Sequence, residues 1–203
     1  MIRWVLLVIA VAAVLAGGTY LAISQWSSVP TVVVVGDSIT YFSGNDISAA
    51  LGAGYSADIH AGIGRRIDEM LPTLEHAAHA HPFAVVVNLG SNDALQARTH
   101  PDWRRGFDRM LALVAPQRCV LITTINTRLP GRAGTRTVAN DINAALLTAA
   151  GTHPNLHIVD WNAAVLTGNA TALLTPDGIH PSPAGQLTLA ALTRTELVER
   201  CHK

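Results

Sequence analysis

Residues 31–40 read TVVVVGDSIT, four consecutive valines running into Gly36, Asp37 and Ser38. A short, fully apolar β-branched run bounded by Pro30 and Gly36 suits a strand covered on both faces. The serine that follows stands where strand gives way to helix. There its hydroxyl is presented at the edge of a sheet, beside the unpaired N–H groups of a helix start, which favour negative charge. An ordinary helix cap at Asp37 or Ser38 is the competing explanation for the same residues.

Further strand signals follow at Tyr55–His60, Phe83–Leu89 (FAVVVNL), Cys119–Ile125 (CVLITTI) and Leu156–Asp160. Between them, amphipathic spacing predicts helices over Arg65–His79, Asp102–Val114, Val138–Ala150 and Pro183–Arg200, although Pro72 weakens the middle of the first. Strand and helix alternate throughout, so residues 31–203 are expected to form one three-layer α/β domain on a five-stranded parallel sheet. Such sheets bind ligands at the carboxyl ends of their strands. Chemistry is therefore sought at Gly36–Ser38, Ala61–Gly64, Gly90–Asp93 and Asn126–Thr127.

Near the C-terminus, residues 177–182 read DGIHPS. Asp177 and His180, three apart on one tight turn, can meet so that the carboxylate accepts the imidazole Nδ1–H while Nε2 faces a hydroxyl. Attack by a serine needs that arrangement. A solvated histidine before a helix cap at Ser182 would leave the same sequence. Acyl transfer also requires donors aimed at an oxyanion. Gly64 can offer a backbone N–H and Asn92 a side-chain amide, with the Ser38 N–H as the third donor. Gly62-Ile63-Gly64 is not a dinucleotide fingerprint, since Ile67 stands where the last glycine belongs.

Taken in order, Gly36-Asp37-Ser38, Gly64, Gly90-Ser91-Asn92-Asp93 and Asp177-Gly178-Ile179-His180 resemble the four blocks of the SGNH (GDSL-type) hydrolase family. The resemblance runs from Thr31 to Arg200. It implies a flavodoxin-like sandwich with strand order 2-1-3-4-5, and neither a metal nor a cofactor. Carried over by position, Ser38 is the nucleophile, His180 the base and Asp177 its orienting partner. Ser38, Gly64 and Asn92 form the oxyanion hole. The stretches HAGIGRRI, NLGSNDAL, CVLITTINTR and IVDWN are similar to SGNH domains appended to integral-membrane acyltransferases of cell-envelope glycans. The expected function is a serine esterase acting on O-acyl esters of envelope or extracellular glycans or lipids. An O-acyltransferase using the same acyl-enzyme, and a catalytically silent glycan-binding module, are the alternatives.

Other features bear on compartment and partners. Trp4–Ile23 carries no charge over twenty residues, about 30 Å of helix and enough to cross a bilayer. Arg3 precedes this run and the next Lys or Arg is Arg65, which predicts residues 1–3 in the cytoplasm, a membrane anchor at 4–23, a linker at 24–30 and an extracytoplasmic hydrolase domain. A cleaved signal peptide is the alternative and would give a secreted enzyme. In the fold that the resemblance implies, Cys119 and Cys201 both lie at the end of the sheet away from catalysis, where a disulfide between them is expected. Two separate buried thiols remain the other reading. Fourteen Lys and Arg balance fourteen Asp and Glu, which leaves no electrostatic footprint for nucleic acid. His76, His79 and His81 lack a carboxylate or cysteine to complete a metal site and read as a solvated helix end. Arg65 and Asn126 stand where they could contact substrate. Arg128, Arg132 and Arg136 lie in an aperiodic loop that is either a substrate lid or plain surface.

Overall fold

Successive valines of the first strand point to opposite sides, and each side meets its own layer of helices. The computed structural model describes residues 29–202, and one compact unit begins at Thr31. Strands β1 (Thr31–Gly36), β2 (Ser56–Ala61), β3 (Ala84–Asn88), β4 (Val120–Thr123) and β5 (Leu156–Val159) form one parallel sheet in the order 2-1-3-4-5. The helices are α1 (Ser38–Leu51), α2 (Ile67–His79), α3 (Ser91–Leu95), α4 (His100–Val114), α5 (Thr135–Thr152), α6 (Trp161–Thr167), α7 (Ala170–Leu173) and α8 (Pro183–Arg200). The expected membrane-spanning run Trp4–Ile23 lies outside the described residues, as does the expected linker up to Ser28. Among the described residues no helix is long and apolar enough to cross a membrane.

On one face, Val33, Val35, Val87 and Ile122 pack against Leu74 of α2, Phe107 of α4 and Ile142 of α5. On the other, Val32, Val34, Val86 and Leu121 pack against Ile39 and Ile47 of α1 and Leu189 and Leu197 of α8. Each such side chain contributes about 1.5–3 kcal/mol by leaving water. Because α1 and α2 take opposite faces, a crevice opens where β1 separates β2 from β3. This is the switch point at which parallel sheets hold ligands, and the segments following all three strands converge there.

The element boundaries differ from the sequence reading for local reasons. Helix α2 begins at Ile67 rather than Arg65, because the Arg66 N–H turns out to meet the Glu69 carboxylate at 2.9 Å and caps the helix. Strand β4 stops at Thr123, short of Ile125. The Ile125 N–H and carbonyl are taken instead by the side-chain amide of Asn143, each at 2.8 Å. Helices α3, α6 and α7 are too short to show a helical period in sequence.

Cys119, at the entry to β4, and Cys201, just after α8, are joined by a disulfide with Cα atoms 5.7 Å apart. It closes a segment of 82 residues at the end of the sheet opposite Ser38. A loop of that length restricts the unfolded chain enough that Cys119→Ser/Cys201→Ser is expected to lose about 2–5 kcal/mol. Denaturant unfolding of oxidised wild type against the double variant measures this, with ester turnover below the transition unchanged.

Candidate active site

Asp37 caps α1: its buried carboxylate accepts the Ile39 N–H at 2.9 Å. The capping explanation of this segment therefore holds for Asp37, and it leaves the hydroxyl of the neighbouring, largely buried Ser38 free to meet His180. Gly36 must lack a side chain, since a Cβ there would stand 2.0 Å from Thr40 Oγ1 and 3.1 Å from the Asn88 carbonyl. The tight exit from β1 sets Ser38 at the first turn of α1, over the carboxyl end of the sheet.

His180 Nε2 lies 2.9 Å from Ser38 Oγ, and His180 Nδ1 lies 2.7 Å from Asp177 Oδ2. Ser38 and His180 are 142 residues apart in the chain. The turn that carries them is closed by a bridge between Leu174 and Pro181 and by the Thr175 N–H on the His180 carbonyl at 2.8 Å. Asp177 Oδ1 accepts the Thr175 hydroxyl at 2.6 Å and the N–H groups of Ile179 at 2.8 Å and His180 at 3.0 Å. Partial burial raises the Asp177 carboxyl, but the hydrogen bonds from Thr175, His180 and Ile179 outweigh it and hold the group well below the usual carboxylate range. Oδ2 is thereby left to the imidazole, which fixes Nδ1 as the protonated nitrogen and Nε2 as the acceptor. The Phe42 ring meets His180 edge-on, centroids 5.2 Å apart, and limits its rotation.

Three potential donors surround this crevice. The Ser38 and Gly64 N–H groups have no acceptor among the described residues. The Gly62 N–H, by contrast, is used on the Gly36 carbonyl at 3.0 Å. Gly64 adopts φ +73°, a left-handed conformation that glycine accepts without strain. Asn92 Nδ2 donates to the Arg65 carbonyl at 3.0 Å and to Asp37 Oδ2 at 3.3 Å, so both its hydrogens already have acceptors. Burial pushes the Asp37 carboxyl up to about 7, opposed by the Ile39 N–H, the positive charge of a protonated His180 and the Asn92 amide.

Asp93, the next residue, is buried and accepts the Ile67 N–H at 3.0 Å. It ties α3 to the start of α2 and so fixes the distance between the Asn92 and Gly64 segments. Burial raises its carboxyl to about 6, against the Ile67 N–H and the charges of Arg98 and Arg66. The folded protein therefore holds this proton more tightly than the unfolded chain, and stability present below pH ~4 is lost as pH rises to ~6. Asp93→Asn keeps an acceptor for Ile67 and removes the ionisation. It is expected to match wild type near pH 4 and to exceed it by up to about 3 kcal/mol near pH 8. Urea denaturation at the two pH values checks this.

The remaining sequence candidates have distinct places. Arg65 is exposed beside Gly64, with Nη1 3.8 Å from Glu69. Asn126 is buried; its amide donates to the Gly178 carbonyl at 3.3 Å and accepts the Arg128 N–H at 2.8 Å, bracing the turn that carries Asp177. Arg128 lines a cavity of 410 Å³ beside that turn, with Thr171, Leu174, Thr175, Pro176 and Gly178. Sequence reading missed Thr175, Phe42 and the Asp37–Asn92 contact. Thr175 left a signal, a hydroxyl two residues before a turn aspartate; the other two depend on packing between distant segments.

Residues 34–187 match the model of the GDSL-like lipase/acylhydrolase family. Over 164 residues the chain is 29% identical to YrhL of Bacillus subtilis (strain 168), which carries the provisional name of a peptidoglycan O-acetyltransferase. That alignment covers 79% of this chain but 23% of YrhL, so the chain spans about a quarter of that relative. The fold is similar to a lipase/acylhydrolase from Enterococcus faecalis, at TM-score 0.71 and 22% identity over 85% of this chain and 97% of that one. It is also similar to the C-terminal catalytic domain of the Streptococcus pneumoniae peptidoglycan O-acetyltransferase OatA, at TM-score 0.70 and 16% identity over 86% and 96%. At such identities the structural likenesses speak for the fold. The family match spans most of the chain, and with it this protein belongs to the GDSL-like lipase/acylhydrolase family.

Proposed function

We propose that the protein is a serine esterase that removes O-acyl groups from extracytoplasmic glycans through an acyl-enzyme on Ser38. The observation that carries this reading is the unbroken relay from Ser38 Oγ through His180 to Asp177, at 2.9 and 2.7 Å. His180 Nε2 takes the hydroxyl proton as Ser38 Oγ attacks the ester carbonyl carbon. The charge that develops on the carbonyl oxygen is met by the Ser38 and Gly64 N–H groups, which have no competing acceptor among the described residues. Asn92 joins them by sharing the N–H now on Asp37, the longer of its two bonds. The tetrahedral species then expels the alcohol, which leaves with the proton from His180. Water, deprotonated by the same Nε2, attacks the acyl-enzyme; the bond to Ser38 Oγ breaks, Oγ takes the proton back from His180, and the carboxylic acid is freed. Asp177, held ionised, stabilises the imidazolium in both halves.

Transfer to a glycan hydroxyl instead of water is the second reading, favoured by the similarity to YrhL. The Cys119–Cys201 disulfide supports an oxidising compartment, and the uncharged run at 4–23 supports a membrane anchor. Product analysis decides between the two reactions. Purified protein incubated with an O-acetylated glycan and excess unacetylated acceptor is expected to release acetate. Acetyl groups recovered mainly on the acceptor would establish the transferase and contradict the esterase.

A further inference from the structure

A groove leads away from the site along the side of the sheet. Its volume is 420 Å³, and it is lined by Tyr41, Asn45 and Ser48 of α1 and by Ala57, Ile59 and Ala61 of β2. The spacing explains why these residues face it together. Positions 41, 45 and 48 share one flank of a helix, and Ser38 stands one turn above Tyr41 on the same flank. Positions 57, 59 and 61 point to one face of the edge strand. Gly44 sits in the same groove, and a Cβ there would be 3.5 Å from Ile59, so helix and strand approach closely at its floor. The upper end adjoins the site directly, because Ala61 pairs with Gly36 in the sheet register and opens the segment leading to Gly64. From Ser38 to Ser48 the helix descends about 15 Å.

The lining has a specific chemistry. The helix wall offers a phenol, an amide and a hydroxyl, all exposed. The strand wall is apolar, and Tyr41 is 57% exposed, with its ring meeting Phe42 edge-on at 5.4 Å. Among the described residues none that line the groove is charged. A lipid chain would leave the polar wall unpaired in an apolar contact, which is costly. An anionic or cationic ligand would find no counter-charge. A pyranose chain offers apolar C–H faces to a ring and hydroxyls to amide and hydroxyl groups. We infer that this groove is a glycan subsite. It holds the sugar chain that continues from the acylated residue, with Tyr41 as stacking platform and Asn45 and Ser48 as hydroxyl partners. The inference rests on the esterase reading above and extends it to substrate length.

Steady-state kinetics on O-acetylated chitotetraose, on the corresponding O-acetylated monosaccharide and on 4-nitrophenyl acetate test it. Wild type is expected to prefer the tetramer over the monosaccharide. Asn45→Ala/Ser48→Ala is expected to raise KM for the tetramer about 10-fold while 4-nitrophenyl acetate kinetics stay unchanged, and Tyr41→Ala, whose ring also meets Phe42, is expected to raise KM for the tetramer more than that for 4-nitrophenyl acetate. These side chains are exposed, so both variants are expected to fold. Unchanged tetramer kinetics in both variants overturn the subsite, as does an equal loss on both esters. Failure of the underlying reading looks different, because the wild type would then release acetate from neither acetylated sugar, whatever it does to 4-nitrophenyl acetate.

Discussion

Ser38→Ala is expected to lower ester turnover by about 10⁴- to 10⁶-fold while the protein keeps its fold. The group removed is a single hydroxyl whose hydrogen-bond partner among the described residues is the His180 imidazole. Its loss opens no cavity of consequence, so thermal unfolding should barely change. In the proposed mechanism, what disappears is the bond-forming atom. The Ser38 and Gly64 N–H groups remain in place and can still polarise a bound carbonyl, which leaves a residual rate above that in water. Single-turnover measurements should show that the burst of alcohol release from the acylation step is gone. A variant that keeps wild-type turnover would remove Ser38 from the chemistry.

The second large effect is expected at Asp177. Asp177→Asn should reduce kcat by about 10³- to 10⁴-fold with little change in KM. The cause is tautomeric. Oδ1 is engaged by the Thr175 hydroxyl and by two backbone N–H groups, from Ile179 and His180. An asparagine at 177 therefore keeps its carbonyl oxygen on those three donors and turns its NH₂ toward His180. Nδ1 must then accept, and the proton moves to Nε2, where it faces the Ser38 hydroxyl. An imidazole in that form cannot take the serine proton. The local fold survives because the turn's hydrogen bonds are retained, and circular dichroism should show no difference. Raising the pH should not restore activity, since the defect lies in the position of a proton rather than in net ionisation.

Much of this site was legible in the chain before any coordinates. The valine run at 32–35 declared a strand buried on both faces, and the core divides its residues between two helix layers as that reading requires. Ser38, Gly64 and Asn92 could be placed near one another because each follows a parallel strand, and such strands point the same way. Sequence could not show how Asn92 is held, because its contacts with Asp37 and the Arg65 carbonyl span 55 and 27 residues. The same limit applies to Asn126. Its place after β4 suggested a substrate contact, and sequence could not show that its amide also braces the Asp177 turn through Gly178, a partner 52 residues away. The short helix α3 escaped because five residues carry no period, and the early end of β4 because a side-chain amide replaces a strand neighbour. Local chemistry was readable; long-range hydrogen bonding was not.

The central claim is that Ser38 forms the covalent intermediate, and labelling with a fluorophosphonate followed by peptide mapping tests it most directly. The account predicts one adduct per chain, on the peptide containing Ser38, formed quickly in wild type and slowly in Asp177→Asn. Ser38→Ala should take up none. An adduct on another residue, or equal labelling of wild type and Ser38→Ala, would contradict it.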